Sequence, residues 1–320
     1  NQIYEAKKKK LGLDTLRPWD VEAEPAGIQP LRPFKTGEEL TEKTIACFDE
    51  LSTGPDGKSF FGDCLRKMKE LGHLDLESRK GKAPGGYNCP LAESGAPFIF
   101  MNAAGQLDDV TTMVHEGGHA IHSFLAHELE LTGFKEYPTE IAEVASMAME
   151  LFSMDKWNVF FDSPEELKRA KEQQLERVIT IFPWIATIDK FQHWIYENPN
   201  HTEEERSAQW MIIAEEFSSP LIDFSGLEEY RRYGWQRQLH LYEVPFYYIE
   251  YGIAQLGAIG LWQQYKQDPE KAMNNYITAL QLGGTKTLPE LFKAAGLQFD
   301  LSPEHIKQLM KFVKSELESL

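Results

Sequence analysis

The sequence has few cysteines, a deficit of basic residues and no long apolar run. Three of its 320 residues are cysteine: Cys47, Cys64 and Cys89. An odd number without paired spacing argues against a disulfide framework and is typical of a reducing compartment. We therefore expect a cytoplasmic location.

Acidic residues outnumber basic ones by 50 to 33, which gives a formal net charge of -17. Such a surface repels phosphate backbones and anionic lipid, so we expect neither nucleic acid nor a membrane as partner. No apolar run approaches the roughly 20 residues of a membrane-spanning helix. We expect no signal peptide either, because the lysines at 7–10 interrupt any apolar core near the N-terminus.

Helical periodicity dominates the rest of the chain. Residues 1–35 contain four prolines and predict an extended segment. The patterns that follow predict a helical stretch over 38–71 broken by a turn at 54–57, a Gly- and Pro-rich loop over 78–95 and a strand over 97–101. Further helices are predicted at about 108–130, 138–157, 164–197, 202–217, 226–240, 245–266, 269–282, 287–295 and 302–319. We expect a mostly α fold with a minor sheet, divided into an N-terminal part over 1–95 and a helical domain over 96–320.

The segment from Val114 to His122 contains the motif His-Glu-x-x-His. On an α-helix His115 and His119 lie one turn and about 40° apart, so both imidazoles can reach one metal ion. Glu116 is placed beside them, where a carboxylate can accept a proton from metal-bound water. The two glycines at 117–118 each cost on the order of 1 kcal/mol in a helix interior. Their presence predicts the close approach of another backbone or of a substrate.

A catalytic zinc site needs a third protein ligand and an open position for water. His122 is about 10 Å from His115 along the helix axis, too far to share the metal, so we expect it to pack nearby or to support the site from outside. The next predicted helix offers Glu140, Glu143 and Glu150 among small residues that permit close packing. Their spacing does not choose among the three.

A second cluster lies between His240 and Gly252, where Tyr248 and Tyr251 share a helical face. Tyrosine hydroxyls and an imidazole can donate hydrogen bonds to the oxyanion of a tetrahedral intermediate. The alternative interpretation is an aromatic core stripe.

Three blocks, residues 115–122, 142–150 and 240–251, together resemble the thimet oligopeptidase and oligoendopeptidase F family of zinc metallopeptidases. Their order and spacing resemble the bacterial oligoendopeptidase F branch. The resemblance implies a multi-helix, zincin-like catalytic domain with a small edge sheet lining a peptide cleft. The activity it implies is endopeptidase cleavage of short, unstructured peptides.

The resemblance also implies roles for single residues. His115, His119 and Glu143 match the ligands of one zinc ion, and Glu116 matches the general base. Glu150 matches a carboxylate that steadies a ligand histidine.

The tyrosine block matches residues that bind substrate and stabilise the transition state. His240, Tyr248 and Tyr251 take these roles by resemblance, and Tyr247 is a neighbour that can contact substrate. Family members carry a further helical region before the segment that begins here. We expect that region to be absent or to belong to a part outside this chain, such as a companion chain.

The strand near residues 98–105 is expected to lie at the cleft together with the Gly-rich loop at 81–87. If it is an edge strand, it can pair with a peptide backbone. The expected contacts are Asn102, Ala103 and Gly105.

Two other functions remain open on the sequence. A zinc carboxypeptidase would need a cation for the terminal carboxylate of its substrate, and Arg231, Arg232 and Arg237 precede the tyrosine block. A non-catalytic module that binds peptide or a partner is the alternative from another class, because the N-terminal region is missing.

Overall fold

The computed structural model describes residues 1–51 and 59–320, and within them the chain is mainly helical with one small sheet. The predicted fold class is therefore confirmed, whereas the turn predicted at 54–57 lies outside the described residues. The helices are α1 (Gln2–Leu11), α2 (Gly37–Leu51), α3 (Phe60–Glu70), α4 (Leu107–His127), α5 (Thr139–Ser153), α6 (Pro164–Glu197), α7 (Glu203–Phe217), α8 (Glu228–Arg232), α9 (His240–Glu243), α10 (Tyr248–Gln267), α11 (Pro269–Gln281), α12 (Leu288–Ala294) and α13 (Pro303–Ser319). None of the described helices combines the length and the apolar character that crossing a membrane requires.

The prediction of an extended segment over residues 1–35 is wrong for its first residues, because they form helix α1. Helix α1 ends at Gly12, whose φ of 66° is a left-handed conformation that glycine adopts without strain. The first proline comes only at Pro18. The prolines therefore restrict the chain after α1 and leave α1 itself free to form.

The prediction of one continuous helix over 226–240 is also wrong. It is divided into α8, a 3-10 turn over Gly234–Arg237 and α9. In a continuous helix the carbonyl of Arg231 would accept a hydrogen bond from the amide of residue 235. Here it accepts one from the indole Nε1 of Trp210, at 2.8 Å. This tertiary contact replaces the helical hydrogen bond at the break.

The sheet contains β1 (Leu74–Glu77), β2 (Tyr87–Cys89) and β3 (Phe98–Ala103) in the order β1-β3-β2. β1 pairs with β3 in parallel, and β2 pairs with β3 in the antiparallel direction. β2 falls inside the predicted loop. The prediction that β3 is an edge strand is wrong, because it has a partner strand on each side.

The chain forms two compact units. One comprises residues 1–30 and 176–252, and the other comprises residues 31–175 and 253–320. This division differs from the one expected at residue 95. Strands β1 and β2 precede that point and pair with β3, which follows it, so one sheet spans the expected boundary.

The first unit has an aromatic and aliphatic core that includes Ile188, Phe191 and Trp210. In the second unit, helices α4 and α5 pack tightly against each other. Helix α4 begins after Gln106, and the side chain of Asp109 accepts the backbone N–H groups of Ala104 and Gln106, both at 2.8 Å. Gln106 is the N-cap residue, and Asp109, at the third helical position, satisfies the amide groups just before the first helical turn.

The two glycines of the motif lie where α4 is most closely packed. A methyl group on Gly118 would lie 2.7 Å from the carbonyl oxygen of Ala145 and 2.7 Å from the Cα of Ser146, both on α5. A methyl group on Gly117 would lie 2.7 Å from the ring of Phe48. The predicted close approach is therefore made by the protein itself, with a backbone at Gly118 and a phenylalanine ring at Gly117.

We expect Gly118→Ala to lower the free energy of unfolding by about 1–3 kcal/mol, because the added methyl group meets backbone that cannot move independently of α5. This overpacking should outweigh the gain of about 1 kcal/mol that alanine brings to a helix interior. Chemical denaturation measures the change. Gly133→Ala is the matched control, because nothing lies within 4 Å of its added methyl group. Equal stability of Gly118→Ala and the wild-type chain would contradict this account of the α4–α5 contact.

Candidate active site

Three side chains that can bind a metal ion converge between α4 and α5. The ligand atoms of His115, His119 and Glu143 all lie within 4.8 Å of one another. Oε2 of Glu143 is 3.4 Å from Nε2 of His115 and 3.7 Å from Nε2 of His119. Metal–ligand bonds of about 2 Å place tetrahedral ligand atoms about 3.3 Å apart. The donor set therefore fits a zinc-sized ion, and of the three candidate glutamates it includes Glu143.

Burial and charge also fit a cation at this position. Glu143 and Glu116 are buried, with 4% and 6% of their surfaces exposed. Burial raises the pKa of Glu116 to about 7 and lowers the pKa of His119 to about 4. Burial also lowers the pKa of His115, but its hydrogen bonds with Glu143 and Glu150 outweigh burial and raise this pKa well above its usual value. Since buried negative charge is costly unless it is compensated, a divalent cation between these groups is the expected compensation.

Glu150 orients His115. Its Oε1 lies 2.6 Å from Nδ1 of His115, and its Oε2 accepts a hydrogen bond from Nε2 of Gln174 at 2.7 Å. A proton on Nδ1 leaves the lone pair of Nε2 directed at the metal position. Gln174 carries no signal in the sequence, because a lone glutamine in a long helix has no distinguishing pattern.

Glu116 lies beside the ligands with one carboxylate oxygen, Oε2, that has no hydrogen-bond partner among the described residues. A methyl group on Gly86 would lie 3.6 Å from its other oxygen, Oε1. The side chain of Asn88 also donates to the carbonyl oxygen of Glu116, at 3.4 Å. The Gly-rich loop and β2 therefore lie against Glu116.

His122 is a packed histidine, one of the two alternatives left open by the sequence. Its ring is fully buried and stacks on Tyr137, with ring centroids 3.5 Å apart. Neither of its ring nitrogens has a hydrogen-bond partner among the described residues. It therefore makes no hydrogen bond that could orient a metal ligand.

The predicted substrate contacts on β3 are engaged within the protein. The side chain of Asn102 donates to the carbonyl oxygens of Ala83 and Gly85, and the carbonyl oxygen of Ala103 accepts the amide of Ser78. Gly105 follows β3 with a φ of 82°. A substrate contact at Asn102, Ala103 or Gly105 stays a prediction, but it cannot be the strand addition expected for an edge strand.

A cavity of about 420 Å³ opens beside the C-terminal turns of α4. Its lining includes Ser123 and His127, which follow His119 by one and two helical turns. Tyr137, Pro90 and Leu91 form part of its other walls. The cavity therefore lies along the same helix that carries the histidine pair.

The tyrosine block forms a separate cluster in the first unit. Rings of Tyr248 and Tyr251 lie 5.0 and 5.7 Å from the ring of His240, and Tyr247 lies 5.9 Å from it. Tyr248 belongs to the buried core of this unit, as the core-stripe interpretation predicts, whereas Tyr247 and Tyr251 are partly exposed. The predicted block thus lies together, its role stays a prediction, and the structure distinguishes the burial of its members.

A chain of hydrogen bonds fixes the orientation of His240. Trp184 can only donate, and its Nε1 donates to Oε1 of Gln238 at 3.0 Å. Nε2 of Gln238 then faces Nδ1 of His240 at 2.6 Å, and Nε2 of His240 lies 3.3 Å from the hydroxyl of Tyr251. In the neutral ring the proton is therefore on Nε2, which makes His240 a donor towards Tyr251. Trp184 and Gln238 were missed by the sequence analysis, because they act only through this arrangement.

Two histidines one helical turn apart, a glutamate from the next helix and a buried glutamate beside them are the residue set of zinc metallopeptidases. The candidate site therefore has the residue types that this class of enzyme uses. The chain belongs to peptidase family M3, whose sequence pattern matches residues 1–311. This confirms the resemblance seen in the three sequence blocks.

Several known proteins are similar over most of the chain. An oligoendopeptidase F homolog of Lactococcus lactis subsp. lactis (strain IL1403) is 23% identical over 334 residues, covering 100% of this chain and 51% of the relative. Oligopeptidase PepF of Bacillus subtilis (strain 168) is 26% identical over 272 residues, covering 81% and 38%. The solved structure of PZ peptidase A with inhibitor 2 has a TM-score of 0.90 and 30% identity, covering 100% and 55%. This chain spans about half the length of the Lactococcus lactis relative and of PZ peptidase A.

We expect His119→Phe to weaken metal binding and His122→Phe to leave it unchanged. Loss of His119 should weaken zinc binding by more than the roughly 10- to 100-fold that loss of an outer partner costs. His122→Phe should retain zinc and leave the melting temperature equal or higher, because the nitrogens it removes have no hydrogen-bond partner within residues 1–51 and 59–320. Zinc titration of the metal-free chain, together with thermal unfolding, measures both effects. Loss of zinc binding in His122→Phe would show that His122 supports the site.

Proposed function

We propose that this chain is the catalytic part of a zinc-dependent endopeptidase that hydrolyses short, unstructured peptides. The observation that carries the proposal is the convergence of His115, His119 and Glu143, with the buried carboxylate of Glu116 beside them. Membership of peptidase family M3 and the names of its oligoendopeptidase relatives support a peptide as substrate.

In this proposal His115, His119 and Glu143 hold one zinc ion. When bound, the ion acts as a Lewis acid and lowers the pKa of a coordinated water. Glu150 keeps the proton of His115 on Nδ1, so that Nε2 is free to bind.

Glu116 is the proposed general base and then general acid. Its Oε2, which has no hydrogen-bond partner in the described part of the chain, can take a proton from the attacking water and pass it to the nitrogen of the leaving amine. Burial raises the pKa of Glu116 to about 7 in the metal-free chain, and a bound cation would oppose this rise and favour the ionised form that a base requires.

The resemblance assigns His240, Tyr248 and Tyr251 to substrate binding and transition-state stabilisation, and we retain that assignment. The Nε2–H of His240 and the hydroxyl of the partly exposed Tyr251 have the donor chemistry for a developing oxyanion. Tyr247 is proposed as a substrate contact.

Short peptides are the proposed substrates because the relatives are named oligopeptidases. The cavity beside α4 is large enough for peptide side chains. The chain covers about half of its relatives, so a preceding region or a companion chain is proposed to complete the enzyme.

We expect Glu116→Gln to retain stoichiometric zinc but to lower the rate of peptide hydrolysis by about 10²–10⁴-fold. Glutamine keeps the shape of the side chain and cannot accept the proton. Hydrolysis of an internally quenched peptide and metal analysis measure the two effects. A chelator should abolish wild-type hydrolysis, and restored zinc should return it.

Undiminished turnover by Glu116→Gln would remove Glu116 from its proposed role. A wild-type chain that binds peptide and zinc without any hydrolysis would instead favour the non-catalytic binding module.

The carboxypeptidase alternative is tested by the C-terminus of the substrate. We expect equal cleavage of a quenched peptide and its C-terminally amidated form, since an endopeptidase needs no terminal carboxylate. The side chain of Arg231 already pairs with Glu215 at 2.6 Å, and those of Arg232 and Arg237 lie over aromatic rings. Cleavage of the free acid alone, identified by mass spectrometry of the products, would favour a carboxypeptidase.

A further inference from the structure

A buried glutamine on α6 connects the two helices that carry the metal ligands. Gln174 is 2% exposed. Its Nε2 donates to Oε2 of Glu150 on α5 at 2.7 Å, and its Oε1 accepts a hydrogen bond from the hydroxyl of Thr111 on α4 at 3.2 Å. Both ends of this side-chain amide are therefore used, and each end contacts a different helix.

Together with one turn of the α4 backbone, these hydrogen bonds close a ring. The other oxygen of Glu150, Oε1, lies 2.6 Å from Nδ1 of His115. His115 follows Thr111 by four residues, which is about one turn of α4. The ring therefore starts and ends on α4, passing through Gln174 on α6 and Glu150 on α5.

The directions of the hydrogen bonds in the ring are determined by its members. An ionised carboxylate only accepts, so His115 and Gln174 must both donate to Glu150. The amide oxygen of Gln174 then faces Thr111, whose hydroxyl donates. Rotation of the Glu150 carboxylate would break at least one of its two hydrogen bonds, so Gln174 restricts the group that orients His115.

We propose that Gln174 is a positioning residue of the metal centre, which holds Glu150 in the orientation that directs Nε2 of His115 towards the metal. Thr111 holds the amide of Gln174 in the required orientation. The inference rests on the proposed function in one respect, namely that His115 binds zinc.

The test is a double-mutant cycle on zinc affinity, measured by competition with a chelating dye. Gln174→Met removes both hydrogen bonds at similar volume and should weaken zinc binding on the order of 10-fold, the range found for outer partners of metal ligands. If Gln174 acts through Glu150, the same change in a Glu150→Ala background should have no further effect. A general loss of packing would instead lower affinity by a similar factor in both backgrounds.

Thr111 provides an independent route if Gln174→Met folds poorly. Thr111→Val removes the hydroxyl and should weaken zinc binding. Thr111→Ser keeps the hydroxyl and should retain the zinc affinity of the wild-type chain. Gln255→Met is the matched control, because Gln255 is another buried glutamine and its Nε2 has no hydrogen-bond partner among the described residues. Its zinc affinity should equal that of the wild-type chain.

Unchanged zinc affinity in Gln174→Met, or equal losses in the two backgrounds, would overturn the inference while the zinc site itself stands. Failure of the wild-type chain to bind zinc would overturn the proposed function and this inference together. A loss of zinc affinity that occurs only when Glu150 is present would support both the proposed function and the inference about Gln174.

Discussion

The close contact between α4 and α5 at Gly118 is the constraint on which the candidate site depends. Because Gly118 has no side chain, the backbone of α5 can lie against α4 at Ala145 and Ser146. Glu143 and Glu150 are seven residues apart on α5, about two helical turns, and both therefore face α4. One reaches the position between the two histidines, and the other reaches the far nitrogen of His115.

This packing brings more negative charge into the interior than the two imidazoles balance. Glu116 and Glu143 are both buried, and Glu150 accepts hydrogen bonds on each oxygen. Buried carboxylates are costly without compensation, so the geometry that creates the site also favours occupation by a cation. Metal binding and folding stability are then coupled, since an ion that binds only the folded chain stabilises it.

In both candidate clusters a glutamine is hydrogen-bonded to a histidine, either directly or through a carboxylate. In the second unit, Gln174 acts on His115 through Glu150. In the first, Gln238 contacts His240 directly, with its own orientation set by Trp184. A side-chain amide suits this task because it has a donor end and an acceptor end, so its neighbours determine which way it points. The consequence is a defined hydrogen-bonding role for Nδ1 of each imidazole.

The sequence by itself determined the features that depend on local spacing. Helical geometry relates His115 to His119 within one turn, so the pair could be predicted without tertiary information, and the glycines between them indicated a close contact. Only the tertiary structure decided which glutamate completes the site, because that depends on how α5 lies against α4. It likewise decided the central position of β3 and the break at the carbonyl of Arg231, since both depend on partners distant in the chain. Contacts within a turn follow from the backbone of one segment, whereas the meeting of two segments depends on the packing of the whole unit.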